Sequence, residues 1–286
     1  MPKSRQSGTP PDRASERRTV ALPSSDLPRV VVIGGGFAGI NFVKNLLGCG
    51  WQVVLLDRNN FHQFQPLLYQ VATCGIEPDG IIYPLRKLFE NHSASFRFRM
   101  CNVSDIDVGR KLVSTDQGEV GYDRLVIATG SATNFFGNDA VERHAVGMKG
   151  IREALDIRSQ ILQNLERAAS TTDDDEREAL TNFVIVGAGP SGVETAGALA
   201  EFRTHILKRD YPDLDCEDMK IHLVQSGDRV LKGMSEHAGQ RALDDLTKLG
   251  VNVILGHRVQ RFDGRLAVTD QKLRLPARAL IWTAGV

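Results

Sequence analysis

Cysteine is scarce in this chain: Cys49, Cys74, Cys101 and Cys216 stand far apart, and no two of them form a CxxC or CxxxxC pair. That excludes a compact zinc knuckle and a redox disulfide motif, and the four read as reduced, cytosolic thiols. An excess of one charge is also missing. Lysine plus arginine and aspartate plus glutamate number 35 each, so no overall field draws the chain to nucleic acid or to anionic lipid. No apolar run reaches the roughly 20 residues that a membrane-spanning helix needs, and the N-terminal stretch has no apolar core of a secretory signal. His62, His92, His144, His205, His222, His237 and His257 are scattered without ligand spacing, so no metal site is expected.

What is present is apolar material: 42% hydrophobic residues over 286 positions can fill two buried cores. Residues 1–28, rich in serine, proline and arginine, read as a disordered tail. Arg13, Ser15, Arg17 and Arg18 lie together as in a mitochondrial presequence, but Pro10, Pro11, Asp12 and Glu16 oppose an amphipathic, acid-poor helix.

From Arg29 the pattern changes. Residues 29–33 are a β-branched run, residues 34–39 a glycine-rich turn, residues 40–47 have helical spacing, and residues 51–56 form a second apolar run ending on Asp57. The turn Gly34-Gly-Gly36-Phe37-Ala38-Gly39 is GxGxxG. Gly34 permits the tight turn, Gly36 lets the backbone approach a pyrophosphate, and Gly39 lets helix and strand pack closely. Asp57, 23 residues after Gly34, is placed to accept from ribose hydroxyls. A lone GxGxxG is weak evidence, and the flanking strand, helix and acid make it strong.

The same grammar returns at residues 183–186, then Gly187-Ala-Gly189-Pro190-Ser191-Gly192, then helical residues 193–202 and a returning strand at 220–224. Pro190 suits the first turn of a helix, where its missing N–H goes unmissed. Residues 95–103, 111–114 and 125–127 read as strands, the last running into Ala128-Thr129-Gly130. Residues 151–168 read as an amphipathic helix and 173–176 as an acidic helix start. Residues 242–249 are helical, residues 251–255 a strand, and residues 279–282 a strand running into Thr283-Ala-Gly285. The fold class expected is α/β, with two Rossmann-like dinucleotide-binding domains in series at residues 29–150 and 151–286.

Several stretches carry a more specific likeness: residues 57–72 (DRNNFHQFQPLLYQVA), residues 123–130 (DRLVIATG), residues 187–197 (GAGPSGVETAG) and residues 281–285 (IWTAG). In these the chain resembles the type II NADH:quinone oxidoreductases, peripheral flavoenzymes of the two-dinucleotide-binding-domain class. The resemblance implies FAD at the first turn, with Gly34, Gly36, Phe37, Ala38, Gly39, Asp57, Arg58, Thr129 and Gly130 lining it, and Gln65, Pro66 and Leu67 near the flavin. It implies NADH at the second, held by Gly187, Gly189, Pro190, Ser191, Gly192, Gln225 and Gly285. Glu194 matches the acid of the family's GPxGVE motif at the junction of the nicotinamide, flavin and quinone pockets. Its bland reading is a carboxylate favoured by a helix N-terminus. The implied chemistry passes a hydride from NADH to FAD and two electrons to a membrane quinone, at the cytoplasmic face of the inner membrane. A homodimer is compatible with it.

Two departures stand out. Where the family has an acid at the end of the second strand of the NADH fold, this chain has Gln225. A neutral amide removes the repulsion of a 2′-phosphate, so weakened discrimination against NADPH is expected, with Arg229 able to assist a phosphate. The competing expectation is that Gln225 still hydrogen-bonds the ribose and NADH stays preferred. Secondly, the family continues beyond the position of Val286 with a segment closing the FAD fold, an Ala-Gln pair and a C-terminal membrane anchor, so a partial sequence is expected. Two alternatives remain. A sulfide:quinone reductase shares the fold but needs cysteines near the flavin, and none lies between Cys101 and Cys216. A non-catalytic nicotinamide- and flavin-binding remnant would keep the glycines and lack turnover.

Overall fold

The computed structural model describes residues 18–92 and 95–285. The expected disordered tail falls in part, at residues 1–17, outside the described residues. The chain divides into two compact units, the first running up to His62 and resuming at Pro84–Gly130, the second comprising Gln63–Tyr83 and Ser131–Val286.

In the first unit the strands Phe96–Met100, Gln52–Asp57, Arg29–Ile33 and Arg124–Ile127 form a parallel sheet in that order. Apart from their polar end residues the two central strands are apolar because both faces are covered, as parallel sheets require. Successive side chains alternate between the faces. Val30, Val32, Val53 and Leu55 pack with Ile40 and Val43 of the helix Phe37–Leu46 and with Leu85, Phe89, Phe96 and Phe98. Val31, Ile33, Val54 and Leu56 pack with Cys101, Val113 and Val120, beneath an antiparallel sheet of Val103–Asp107, Leu112–Thr115 and Gly118–Gly121.

Residues 18–28 are not the disordered segment expected. Thr19 bridges Glu119, the Val20 N–H donates to the Glu119 carbonyl at 3.0 Å, and Val20 and Leu22 pack on the second face of the sheet. Arg99 Nη2 donates to the Ala21 carbonyl at 2.5 Å and Gln52 Nε2 to that of Pro23 at 3.0 Å. Burying two apolar side chains and satisfying those carbonyls offsets the ordering of a serine- and proline-rich stretch that composition alone leaves loose.

The second unit repeats the plan. Its parallel sheet runs Val146–Gly147, Ala279–Trp282, Phe183–Val186, Ile221–Gln225, Asn252–Leu255. The strands Val259–Phe262, Leu266–Thr269 and Arg274–Pro276 form its antiparallel sheet. The helix Ile151–Ser170 begins where the Glu153 carboxylate accepts from the Lys149 and Gly150 amides at 2.5 and 2.9 Å. The acidic run starts the helix Asp174–Thr181, with Asp173 Oδ1 accepting from the amides of Asp175 and Glu176 at 3.0 and 3.2 Å. The helix Glu236–Lys248 starts six residues before the expected one, capped by Ser235 Oγ accepting from the Ala238 amide at 3.2 Å.

The division differs from a boundary at 150/151. Ser131–Gly150 belongs to the second unit, and so does Gln63–Tyr83, which interrupts the first. Gln63 Oε1 accepts from the Ile151 amide at 2.9 Å, Gln63 Nε2 donates to the Lys149 carbonyl at 3.1 Å, and Arg158 pairs with Glu77 at 3.1 Å. The helix Leu68–Ala72 packs against the helices Ile151–Ser170 and Pro190–Phe202. These partners stand some eighty or more positions away in sequence, which is why linear spacing did not show them.

Candidate functional site

The first candidate site is the turn between the strand Arg29–Ile33 and the helix Phe37–Leu46. Gly34 leaves the strand at φ +107°, its N–H donating to the Leu56 carbonyl at 2.8 Å. A Cβ on Gly34 would meet the Ala128 carbonyl oxygen at 2.2 Å, and one on Gly39 would meet the Gly34 oxygen at 1.9 Å. Strand, helix and returning strand therefore touch backbone to backbone, and only hydrogen fits. Gly36 is the helix N-cap and has no side-chain cap bond, and nothing lies within 4 Å of where its Cβ would stand. That open lip lies at the positive end of a helix dipole, among first-turn amides with no acceptor in the helix itself. Phe37 and Ala38 are exposed on it. Asp57 Oδ2 accepts from the Gly35 amide at 2.5 Å and its Oδ1 from the Asn59 amide at 2.7 Å. Arg58 follows, exposed, and Thr129 and Gly130 are exposed past the end of the strand Arg124–Ile127.

The second turn copies the first. Gly187 leaves its strand at φ +103°, donating to the Val224 carbonyl at 2.9 Å, and a Cβ on Gly192 would meet the Gly187 oxygen at 1.8 Å. Gly189 is the N-cap with open space where its Cβ would be, and Pro190 opens the helix Pro190–Phe202 as expected. Gln225 Oε1 accepts from the Ala188 amide at 3.1 Å, the counterpart of the Asp57 bond to Gly35. Where the first turn meets Ala128, the second meets Thr283, whose hydroxyl lies 2.9 Å from the carbonyls of both Val186 and Gly187. Gly285 ends this turn at φ +70°, as Gly130 ends the first at φ +70°.

Gln65, Pro66 and Leu67 form a single 3₁₀ turn in the second unit, with Gln65 Nε2 donating to the Lys149 carbonyl at 3.3 Å. Ser191 and Glu194 are exposed on the helix Pro190–Phe202, yet neighbouring protein withdraws enough water from the Glu194 carboxyl to push its pKa up. The expectation for Arg229 needs correction. Its Nη2 donates to the carbonyls of Lys232 and Met234 at 2.8 and 3.3 Å, and its Nη1 is buried without a hydrogen-bond partner among the described residues, so the guanidinium is engaged in holding its own loop and is not a freely exposed cation. That loop also ties to the turn, the Leu231 N–H donating to the Ala188 carbonyl at 2.8 Å.

His62, one of the histidines without ligand spacing, is a hydrogen-bonded structural residue whose partner sequence reasoning did not name. Its Nδ1 lies 3.1 Å from the Gly35 carbonyl and its ring meets Phe37 edge-on at 5.0 Å, so it supports the first turn. Only its place five residues after Asp57 hinted at this. Cys101 is buried among the core side chains under the antiparallel sheet, where burial raises its pKa, a structural thiol and not a reactive one.

Two features make both turns fit a dinucleotide pyrophosphate: a lip where a Cβ would have occupied the ligand's space, and a helix N-terminus behind it. No helix among the described residues is long and apolar enough to cross a membrane. Against known proteins, the chain is 38% identical over 266 residues to the type II NADH:quinone oxidoreductase Ndh of Mycobacterium tuberculosis, covering 90% of this chain and 57% of that protein. It is 35% identical to NdhA of the same organism, covering 90% and 56%. The chain thus spans little more than half the length of these curated relatives. NDH2 of Plasmodium falciparum superposes with a TM-score of 0.85 at 24% identity, covering 91% of this chain and 55% of that one, a likeness of fold. Residues 28–286 match the family described as pyridine nucleotide-disulphide oxidoreductase, and the chain belongs to that family.

Proposed function

We propose that the first turn holds FAD, that the second holds NADH, and that the chain is the nucleotide-binding part of an NADH:quinone oxidoreductase. The observation that carries this reading is the doubled cradle, Gly34-Gly36-Gly39 with Asp57 and Gly187-Gly189-Gly192 with Gln225, in one chain. The names of the relatives, which act on NADH and quinone, support it.

When bound, the flavin and the nicotinamide supply the hydride and two-electron chemistry, and the protein supplies orientation and electrostatics. In the first unit Gly36 clears the pyrophosphate's approach, the helix N-terminus at Phe37, Ala38 and Gly39 carries its charge, and Asp57 offers an anionic acceptor to ribose hydroxyls. Arg58, Thr129 and Gly130 complete the rim. In the second unit Gly189, Ser191 and Gly192 repeat the anion cradle with one amide fewer, because Pro190 has none. Gln225 meets the ribose with its amide nitrogen, its oxygen being engaged by Ala188. Glu194, held toward its protonated form by desolvation, is the group suited to hold a proton beside this turn. In this reading the enzyme works peripherally at the membrane that holds its quinone, on the cytoplasmic face.

The test is to saturate the protein with FAD and NADH separately, then follow NADH oxidation with a short-chain quinone. Stoichiometric FAD and quinone-dependent turnover that falls in Glu194→Gln supports the reading. Binding of both nucleotides with no turnover in the unaltered protein would leave a nucleotide-binding remnant as the better account.

A further inference from the structure

Phe136 is 68% exposed, and its backbone is left-handed at φ +55°. Glycine and asparagine enter that region readily, whereas a bulky side chain stays there only when its surroundings hold it. The Phe136 N–H donates to Asn134 Oδ1 at 2.7 Å, the Asn134 N–H to the Gly285 carbonyl at 3.1 Å, and the Trp282 indole N–H to the Asn134 carbonyl at 3.0 Å. The ring lies over Gly285, where a Cβ would come within 3.0 Å of two ring carbons, and 6.5 Å from the Trp282 ring. The adjacent Phe135 does the opposite, stacking on Trp282 at 5.3 Å and partly burying its ring. Phe136 spends backbone strain to present a phenyl face to solvent at the turn closing the second sheet.

That place has a meaning in the topology. The strand Phe183–Val186 lies between Ile221–Gln225 and Ala279–Trp282. A dinucleotide with its pyrophosphate at the Gly187–Gly192 turn and its adenosine ribose at Gln225 must carry its other half over the end of Ala279–Trp282. Phe136 and Gly285 stand there.

Resting on the reading of the second turn as an NADH site, we propose that Phe136 is a ligand-contacting residue that packs against the nicotinamide half of the dinucleotide and discriminates it from ligands lacking that ring. An exposed phenyl offers a flat apolar face to an aromatic amide, and its fixed backbone lowers the ordering cost of binding.

The test compares the binding of NADH with that of ADP-ribose, which keeps the adenosine, pyrophosphate and second ribose and lacks nicotinamide, by calorimetry. Phe136→Gly is expected to weaken NADH about 10-fold and leave ADP-ribose unchanged. Its unfolding midpoint should not fall, since glycine suits the φ of this position. Phe136→Tyr should keep NADH affinity within about twofold. NADH bound equally well by Phe136→Gly overturns the proposal, and so does an equal loss of both ligands, which marks Phe136 as a support of the turn. If the unaltered protein binds neither ligand, the NADH reading falls and this proposal with it.

Discussion

In the first unit the residue that ends the second strand is Asp57, and in the second it is Gln225. Each accepts from the middle amide of its turn, Gly35 at 2.5 Å and Ala188 at 3.1 Å. The comparison separates two jobs that a single motif merges. Holding the turn requires only an acceptor oxygen, which a carboxylate and a carboxamide both provide. What is left over differs. Asp57 keeps a negative charge shared over two engaged oxygens, whereas Gln225 has spent its oxygen on Ala188 and presents a neutral donor. The backbone cradle is therefore common to both units, and at the strand end the two differ in the charge and hydrogen-bonding capacity of one side chain.

The comparison breaks most visibly at the glycines under the helices. Gly39→Ala and Gly192→Ala should each cost about 3 kcal/mol, because the new Cβ meets a fixed carbonyl at 1.9 or 1.8 Å, and each should abolish binding only at its own turn. Thermal unfolding with separate FAD and NADH titrations measures both effects. Loss of both nucleotides from either variant would show that the cradles do not act independently.

Exchanging the strand-end residues sharpens it. Gln225→Glu should reduce NADPH affinity about 10-fold with little change for NADH, as a carboxylate repels the 2′-phosphate, and Asp57→Asn should weaken FAD by about the same factor. Equal responses of NADH and NADPH to Gln225→Glu would remove Gln225 from the reading of the 2′ position. Arg229→Met comes next, with an expected loss of about 1–2 kcal/mol from two carbonyls left without their donor, and an unchanged ratio of NADPH to NADH affinity. A selective loss of NADPH would mean that the guanidinium leaves its loop to reach the phosphate.

The smallest effect concerns Glu194. Desolvation raises its pKa in the folded state, so the fold binds this proton more tightly than the unfolded chain does. Stability is then unaffected below the unfolded carboxyl value of about 4.3 and is reduced as pH rises through the folded pKa. Glu194→Gln should raise the unfolding midpoint slightly at neutral pH, by a few tenths of a kcal/mol at this exposed site, and make no difference near pH 3. A midpoint difference that is the same at both pH values would show that the charge is not the cause.

Both turns and their flanking elements were legible because their requirements are local. A glycine where only hydrogen fits, a proline at the first helical position and a β-branched run are visible one residue at a time. The start of the helix Glu236–Lys248 was legible too, in the Ser235 cap, although the expected start was 242. Gln63–Tyr83 was misassigned because its partners at Lys149, Ile151 and Arg158 lie far along the chain. Arg229 read as a free cation because a sequence shows charge and not direction, and Phe136 carried no signal because an exposed, left-handed phenylalanine looks like any other in a string of letters.

By itself the sequence determined that there are two glycine-rich strand-turn-helix units, each with a closing strand and a small-Gly end, since those follow from steric limits within a few neighbouring residues. Only the tertiary structure decided which unit Gln63–Tyr83 joins, that Val20 and Leu22 complete a core, which atoms of Gln225 and Arg229 are already engaged, and where the Phe136 ring faces. Those outcomes rest on hydrogen bonds and buried contacts between distant segments, and each is worth only about 1 kcal/mol. Such terms select among arrangements that local pattern leaves equal, and they act only once the chain has folded.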